Sequence, residues 1–280
     1  MNSTPLRLGV AGRPVLHSLS PRLYAALLAE SGRQGGCLRL AATEAAEALD
    51  LFRDLGLAAM NVTAPFKEDI VPLLEALTPR AARLGAVNFV RTAADGSLVG
   101  DNSDGAGVLG ALATRGLDPR GRKVLLIGAG GAGKAAALAL GEAGALVTVA
   151  NRGRERGELA AALAGGNWRP LDALPALAAG AEIIVSTLSA GHLPDPADWL
   201  PPGRLVLDAD YRNGRLAAAQ AALGPPPLDG RFWLLGQALP CWEAVTGSVA
   251  TPAARGRALA AIEAGGPPAR ADGLRRGVAL

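Results

Sequence analysis

A glycine-rich stretch between an apolar run and an alanine-rich run constrains the fold of this chain more than any other feature. Val124–Ile127 is continuously apolar, which predicts a strand that is buried on both faces. Gly128, Gly130 and Gly133 follow at once, and the Ala-rich segment 132–143 predicts a helix. The stretch therefore predicts a strand, a tight turn and a helix in direct succession.

The three glycines match the G-x-G-x-x-G pattern of dinucleotide-binding folds. In that pattern they permit the turn, the close approach of a pyrophosphate and tight packing of helix against strand, while the first N–H groups of the helix face the phosphates. A second strand is predicted at 146–150, which completes a βαβ unit of about 30 residues. The pattern predicts a Rossmann domain.

The residues after the second strand indicate which dinucleotide such a domain would bind. An NAD-binding domain carries an Asp or Glu there, which binds the ribose 2′-hydroxyl. This chain has Asn151 and Arg152 followed by Gly153 and Arg154, with no acid. Because a guanidinium suits a 2′-phosphate through charge-assisted hydrogen bonds, NADP is favoured over NAD.

Two other interpretations of the glycine stretch stay open. Residues 128–134 match seven positions of the triphosphate-binding pattern G-x-x-x-x-G-K-[ST], but Ala135 supplies no hydroxyl for magnesium, which disfavours that interpretation. The glycines could also serve packing alone, which Asn151 and Arg152 make the less favoured alternative.

Length, composition and charge exclude several classes of protein. A chain of 280 residues allows two domains, and 50% hydrophobic but only 4% aromatic residues indicate a soluble, Ala- and Leu-rich α/β protein. A net charge of +3 from scattered arginines does not indicate nucleic-acid binding. Two distant cysteines and two histidines predict neither a disulfide framework nor a metal site. Without an apolar run near ~20 residues or an N-terminal leader pattern, we expect a cytoplasmic protein that does not enter a membrane.

Two serines follow the first predicted strand, 6–11. Ser20 precedes Pro21 and a run of apolar residues at helical spacing, so we expect Ser20 to cap a helix. Ser18 would then present a second hydroxyl in the same loop, and the two together suit a polyhydroxylated ligand.

Lys67 and Asp104 are the candidate proton-transfer pair. Lys67 follows a strand predicted at 57–62 and lies at the start of a predicted helix, an unfavourable place for a merely structural cation. Lysine is rare in this Arg-rich chain. Unlike arginine, lysine can release a proton near neutral pH, and this ability is a candidate reason why a lysine is retained. Asp104 could instead cap the helix that follows it.

The remaining patterns predict ordinary elements. Strands are expected at 36–41, 86–90, 97–100, 182–186 and 205–208, with a further strand ending at 234–235; helices are expected at 43–55 with Thr43 as cap, at 237–243 and at 252–263. The segment 265–280, rich in Pro, Gly and Arg, predicts a disordered tail.

Taken in order, the motifs of this chain resemble those of the shikimate dehydrogenase family, including its quinate and aminoshikimate relatives. The resemblance extends from about Gly9 to Gly247. The motifs are His17-Ser-Leu-Ser-Pro21, Asn61-Val-Thr-Ala-Pro-Phe-Lys-Glu68, Gly85-Ala-Val-Asn88, Gly100-Asp-Asn-Ser-Asp-Gly105, Gly128-Ala-Gly-Gly-Ala132, Asn151-Arg152 and Gln237-Ala238.

The resemblance implies an α/β fold with two domains. A substrate-binding catalytic domain would span 1–103 and be completed by 237–264, whose helices pack back on it. An NADP-binding Rossmann domain would span 104–236. The implied reaction is the reversible, NADP-dependent reduction of 3-dehydroshikimate to shikimate.

The resemblance also implies the roles of individual residues. Lys67 and Asp104 would be catalytic. The substrate, a polyhydroxylated cyclohexene carboxylate, would be bound by Ser18, Ser20, Thr63, Asn88, Tyr211 and Gln237, together with Asp104. NADP would be bound by Gly128, Ala129, Gly130, Gly131, Ala132, Asn151, Arg152 and Gly191. We expect a monomer or homodimer.

Several departures from the family pattern favour a divergent paralogue. Ser103 and Gly153 each stand where the family usually has Thr. The loop 186–192 begins with Ser for Asn and ends with His192 for Met, and Asn213 stands where Pro is common. Quinate dehydrogenase, aminoshikimate dehydrogenase and a non-catalytic ligand-binding protein therefore stay open as alternatives.

Overall fold

The computed structural model describes residues 4–188, 191–212, 215–224, 228–264 and 278–279. The chain divides into two units. The first comprises Met1–Ser103 with Ala238–Leu280, and the second comprises Asp104–Gln237. Each unit is built around its own β-sheet.

The strands are β1 Leu6–Ala11, β2 Gly35–Leu40, β3 Ala59–Val62, β4 Ala76–Leu77, β5 Phe89–Thr92, β6 Leu98–Asp101, β7 Lys123–Ile127, β8 Leu146–Ala150, β9 Asn167–Arg169, β10 Ile183–Ser186, β11 Leu205–Asp208, β12 Leu228–Asp229 and β13 Val278–Ala279. The helices are α1 Ser20–Glu30, α2 Ala45–Asp54, α3 Pro79–Leu84, α4 Asp104–Ala113, α5 Gly131–Glu142, α6 Arg154–Ala164, α7 Leu174–Gly180, α8 Arg215–Ala221, α9 Gly230–Thr246 and α10 Pro252–Glu263.

The sheet of the first unit is mixed and has the order β13-β2-β1-β3-β5-β6-β4. β1 is parallel to β2 and β3, whereas β5 is antiparallel to both β3 and β6. Leu40, Met60 and Val90 from three of these strands pack with Phe52 of α2 in one apolar cluster. α10 packs against α1, so this helix from the C-terminal part of the chain belongs to the first unit.

The sheet of the second unit is parallel and has the order β12-β11-β10-β7-β8-β9. β7 is apolar on both faces because Leu126 enters one core cluster while Leu125 and Ile127 enter another. β7 also lies between β8 and β10, so the chain reverses direction across the sheet there. In open parallel sheets ligands bind at this point, beyond the carboxyl ends of the strands.

The expected α/β fold with a Rossmann unit is confirmed. β7, α5 and β8 occupy the stretches predicted from the glycine pattern, within one residue at each end. The strand at 205–208 and the helix at 252–263 also have the predicted bounds. No helix in the described ranges is long and apolar enough to cross a membrane.

The prediction that Ser20 and Thr43 cap helices is wrong. Ser20 is the first residue of α1, and its own N–H donates to Ser18 Oγ at 3.3 Å. α2 begins at Ala45, where Glu44 is the N-cap residue. Both the N–H and the hydroxyl of Thr43 donate to one carboxylate oxygen of Glu47, each at 2.6 Å, so this hydroxyl does not accept from the helix.

Lys67 does not begin an α-helix. Residues 64–70 form consecutive turns, in which the N–H of Phe66 donates to the carbonyl of Thr63, and a short 3₁₀ helix follows at Val71–Leu73. Pro72 in that segment has no N–H with which to extend an α-helical ladder.

The C-terminal predictions need two corrections. Leu234 and Leu235 lie inside α9, which begins at Gly230 and not at Gln237. A short apolar pair does not distinguish a strand from a buried helix. Of the predicted tail, 265–277 and 280 lie outside the described residues, whereas β13 pairs antiparallel with β2.

Candidate active site

Four polar segments meet at one edge of the first sheet. The serine loop, the segment 12–20 that carries Ser18 and Ser20, follows the carboxyl end of β1. Thr63 and Lys67 follow the carboxyl end of the neighbouring parallel strand β3. Because β5 runs antiparallel to β3, Asn88, which directly precedes β5, lies at the same edge. β6 runs antiparallel to β5, so Ser103, which follows β6, lies at this edge too. The topology alone thus gathers residues that are distant in sequence.

The serine loop is fixed from within and from β2. Ser18 Oγ donates to Ser20 Oγ at 3.2 Å, and both serines are buried. The guanidinium of Arg39 donates twice to the carbonyl oxygen of Ser18, from Nε at 3.2 Å and from Nη2 at 2.8 Å. Arg39 could not be predicted as part of the site, because the sequence does not indicate which group an arginine within a strand binds.

The end of β3 brings Thr63 beside the end of β1. The N–H of Thr63 donates to the carbonyl of Ala11 at 2.8 Å. A side chain on Gly12 would collide with the methyl group of Thr63, so glycine is needed there for the two loops to approach. Lys67, four residues further on, is half-buried, and its carbonyl accepts from the N–H of Val87 at 2.8 Å.

Asn88 belongs to a buried polar network. Its Oδ1 accepts from the N–H of Ser103 at 2.8 Å, and its Nδ2 donates to Ser103 Oγ at 3.1 Å. Ser103 Oγ also lies 3.2 Å from Cys241 Sγ. Tyr24 donates to Asn61 Oδ1 at 2.8 Å, and Asn61 Nδ2 donates in turn to Cys241 Sγ at 3.7 Å.

No sequence signal marks Tyr24 and Cys241 as members of this network. Tyr24 lies among apolar residues of α1, and Cys241 lies on α9, so both match the pattern of ordinary core residues. Burial raises the pKa of Tyr24, and the neighbouring Cys241 raises it further, so the phenol keeps its proton and remains a donor to Asn61.

In the second unit, the turn between β7 and α5 forms a cradle of backbone. Gly128 has a φ of +103°, a conformation that favours glycine. A side chain on Gly128 would approach Thr187 Oγ1 at 2.6 Å, and one on Gly133 would collide with the carbonyl of Gly128. Gly130 is the N-cap of α5. A Cβ atom added there would have no atom within 4 Å outside Gly130 and its two chain neighbours.

This cradle fits a pyrophosphate. The open space lies beside Gly130, directly before Gly131 and Ala132 at the start of α5, where the N–H groups have no carbonyl partner within the helix. The dipole of the helix adds positive potential at the same place. The site therefore offers room, donors and charge of the right sign for the phosphates of a dinucleotide.

The loop after β8 leaves one arginine available. Arg152 is exposed, and among the described residues it has no hydrogen bond or ion pair. Arg154 is held by Glu158 Oε1 at 2.8 Å and lies 5.7 Å above the ring of Trp168. Asn151 Nδ2 donates to the carbonyl of Gly153 at 2.8 Å, which fixes the turn.

The ends of β10 and β11 contribute a buried carboxyl group. Asp208 is 5% exposed, and burial raises its pKa to about 7, with Asp210 and Asp229 adding repulsion. In the parallel register it neighbours Ser186, whose buried hydroxyl has no hydrogen-bond partner among the described residues. Gly191 and His192 are exposed in the loop that follows β10.

The remaining predicted site residues belong to the second unit. Asp104 is the first residue of α4 and is 4% exposed. Tyr211 is half-buried after β11, and Gln237 is buried in α9, where its Nε2 donates to the carbonyl of Leu234 at 3.1 Å. The structure thus gathers Ser18, Ser20, Thr63, Lys67 and Asn88 in the first unit, and Asp104, Tyr211, Gln237 and the cofactor residues belong to the second. Asn213 lies outside the described residues.

Comparisons with known proteins bear on both units. Residues 10–90 match the family described as the shikimate dehydrogenase substrate binding domain, and residues 111–195 match the family described as shikimate / quinate 5-dehydrogenase. The shikimate dehydrogenase (NADP(+)) of Halorubrum lacusprofundi is 39% identical, over 90% of this chain and 97% of that protein. The chain belongs to the shikimate dehydrogenase family.

Other family members are similarly related. The shikimate dehydrogenase (NADP(+)) of Rhodospirillum rubrum is 41% identical, over 84% of this chain and 90% of that protein. The crystal structure of shikimate dehydrogenase from Aquifex aeolicus matches with a TM-score of 0.81 and 29% identity, covering 92% of this chain and 99% of that one. Shikimate 5-dehydrogenase from Thermus thermophilus, solved in complex with NADP(H) and shikimate, matches with a TM-score of 0.76 and 32% identity, covering 91% and 99%.

Membership of the shikimate dehydrogenase family confirms the resemblance found in the sequence and the expected class, an oxidoreductase. The family that matches 111–195 includes quinate enzymes in its description.

Proposed function

We propose that this protein catalyses the reversible reduction of 3-dehydroshikimate to shikimate with NADPH. The observation that carries the proposal is the meeting of the serine loop, Thr63, Lys67 and Asn88 at one edge of the first sheet. The chain combines this edge with a pyrophosphate cradle and Arg152 in the second unit. The curated relatives, shikimate dehydrogenases (NADP(+)), are consistent with both halves of the proposal.

The first unit would bind the substrate through neutral polar groups. The hydroxyls of Ser18, Ser20 and Thr63 can each donate and accept, and the amide of Asn88 does both. These groups suit a ring that carries hydroxyls and a carboxylate. Tyr211 and Gln237 are proposed to complete this set. An analogue that lacks one hydroxyl would leave a buried polar group of the site without a hydrogen bond, so the site would discriminate strongly against it.

Lys67 and Asp104 are proposed to move the proton. When the ring carbonyl is reduced, its oxygen gains negative charge and needs a proton, and a lysine beside it can donate that proton and take it back in reverse. Asp104 is proposed to share the proton with Lys67, so we assign the acid to the pair. General acid–base catalysis of this kind contributes roughly 10² to 10⁴ in rate.

The second unit is proposed to bind and orient the cofactor. NADPH supplies the hydride that the ring carbon receives. Gly128 to Ala132 would hold the pyrophosphate by backbone N–H groups, and Asn151 keeps the next loop in shape. Arg152 would bind the 2′-phosphate, because it is the arginine of this loop without a carboxylate partner among the described residues. Gly191 would pass beside the nicotinamide.

A cytoplasmic location and a monomer or homodimer stay as predictions from the sequence. The role of His192 has no structural explanation.

Initial rates of NADPH or NADH formation by the purified protein test the proposal. Shikimate, quinate and aminoshikimate are offered separately, each with NADP and with NAD. We expect the highest kcat/KM with shikimate and NADP. A higher kcat/KM with quinate or aminoshikimate would reassign the substrate, and binding of shikimate without turnover by the folded protein would make it a binding protein.

A further inference from the structure

Five buried polar side chains form a connected network beside the proposed substrate edge, and one of them is a thiol. Tyr24, Asn61, Asn88, Ser103 and Cys241 are each at most 6% exposed. Only Asn88 among them has a proposed contact with substrate. The other four contact Asn88 or one of its hydrogen-bond partners.

Cys241 joins the two halves of this network. On one side its Sγ lies 3.2 Å from Ser103 Oγ, and on the other it accepts from Asn61 Nδ2 at 3.7 Å. Ser103 is hydrogen-bonded to the Asn88 amide through both its N–H and its hydroxyl. Asn61 reaches the same asparagine independently, because its Nδ2 also donates to the backbone carbonyl of Asn88 at 3.4 Å.

The network determines which way the Asn88 amide points. Ser103 N–H donates only, so Asn88 must turn its oxygen toward that N–H. Ser103 Oγ then lies at hydrogen-bond distance from both ends of the amide, 3.1 Å from Nδ2 and 3.2 Å from Oδ1. The hydroxyl accepts from Asn88 Nδ2 while lying against the thiol, and the thiol can donate to it or accept from it. The contact with the thiol restrains the rotation of the Ser103 hydroxyl, and removing the thiol would remove that restraint on the partner of Asn88.

We propose that Cys241 is a positioning residue of the dehydrogenase site, whose thiol holds the Ser103 hydroxyl and the Asn61 amide and thereby orients Asn88 toward the substrate. The proposal rests on the proposed function. Because Ser103 directly precedes Asp104 in the chain, the same contact also restrains the peptide that leads into the proposed catalytic residue.

Substitution of Cys241 tests the proposal. In Cys241→Ala both thiol contacts are lost, and we expect the KM for shikimate to rise about 5- to 30-fold, the effect of losing one or two modest hydrogen bonds. Cys241→Ser retains a group that donates and accepts, and should bring KM back to within about threefold of the wild type. The KM for NADP should not change in either variant.

Cys37→Ala is the matched control. Cys37 is the only other cysteine of the chain, and it lies on β2 outside the set of five hydrogen-bonded side chains. We expect its kinetic constants to equal those of the wild type. If Cys241→Ala does not fold, Cys241→Val, which fills the site with apolar atoms alone, must show the same rise in KM.

The outcomes separate this proposal from the one on which it rests. If the wild-type protein does not turn over shikimate, both the proposed function and the proposed role of Cys241 are wrong. Turnover by the wild type, with an unchanged shikimate KM in Cys241→Ala or Cys241→Val, overturns the role of Cys241 alone. Failure of Cys241→Ser to restore KM, or equal rises in the KM of shikimate and of NADP, would show a packing role and would also overturn it.

Discussion

The guanidinium of Arg39 donates two hydrogen bonds to the carbonyl oxygen of Ser18, so the neighbouring strand β2 holds the loop that carries two proposed substrate hydroxyls. The carbonyl is a backbone group, and the arginine therefore fixes the path of the loop and leaves the Ser18 hydroxyl available. Ser18 Oγ still reaches Ser20 Oγ, which keeps the two hydroxyls adjacent.

Arg39→Met should weaken shikimate binding without slowing the chemical step. Loss of two hydrogen bonds from a charged donor lets the serine loop move, and we expect the KM for shikimate to rise about 10-fold while kcat changes less than about twofold. Arg7→Met is the control, because Arg7 on the adjacent strand also donates to a backbone carbonyl, that of Leu55, away from the site. Equal effects of the two substitutions would contradict this role.

Alanine substitutions at two glycines of the cradle should affect different properties, stability at Gly133 and NADP binding at Gly130. Gly133→Ala pushes a methyl group into the carbonyl of Gly128, so we expect a loss of about 1 to 3 kcal/mol of stability, seen as a lower Tm. Gly130→Ala meets no atom, so Tm should stay within about 1 to 2 °C while the KM for NADP rises at least about 10-fold. A normal NADP KM in Gly130→Ala would show that phosphates bind elsewhere.

Arg152 should set the preference for NADP. In Arg152→Gln we expect kcat/KM for NADP to fall about 10- to 100-fold, the effect of one charge-assisted hydrogen-bonded contact, while the value for NAD stays nearly constant. Arg154→Gln should change the NADP value less than about threefold, because Glu158 and Trp168 already engage that side chain. A larger loss in Arg154→Gln than in Arg152→Gln would reverse the assignment.

Asp208 should make the second unit less stable as pH rises. Burial raises the pKa of its carboxyl to about 7 from 3.8, so the folded state holds a proton that the unfolded state releases. Stability contributed by the neutral form is complete below about pH 4 and is lost between about pH 4 and 7, with a size on the order of 1 to 4 kcal/mol. Urea unfolding at pH 5 and pH 7 measures it.

Asp208→Asn should reduce this pH dependence, since an amide does not ionise. Asp172→Asn, at an exposed position of the same unit, should leave the dependence as it is in the wild type. The same slope in all three proteins would show that another group titrates.

The local backbone of the β7–α5–β8 unit can be predicted from the sequence, whereas that of the serine loop and of the turns around Lys67 cannot. The β7–α5–β8 unit was predictable because a buried strand, conformationally demanding glycines and an Ala-rich helix leave few alternatives at that length. The serine loop and Lys67 were recognisable as motifs, but their local backbone was not. Lys67 lies in consecutive turns, and Ser20 is the first residue of α1. The hydrogen bonds at both places involve neighbours such as Ser18 and Thr63, and helical spacing does not report them.

Residues that act by holding others gave no signal in the sequence. Arg39 is one of many arginines, and Cys241 occupies a position on α9 that suits any small buried residue. Their partners are 21 and 138 residues away in the chain, respectively. The pairing of β2 with β1 brings Arg39 to Ser18, and the packing of α9 brings Cys241 to Ser103, and neither contact can be predicted from local sequence.

Lys67, together with Asp104, forms the pair that is proposed to transfer the proton in the shikimate dehydrogenase reaction. The most direct test measures NADPH formation from shikimate and NADP by Lys67→Ala, together with shikimate binding by calorimetry. We expect kcat to fall roughly 10² to 10⁴-fold while the Kd for shikimate changes only a few-fold. A Kd that collapses while kcat is retained would contradict the account, because Lys67 would then bind substrate and another group would move the proton.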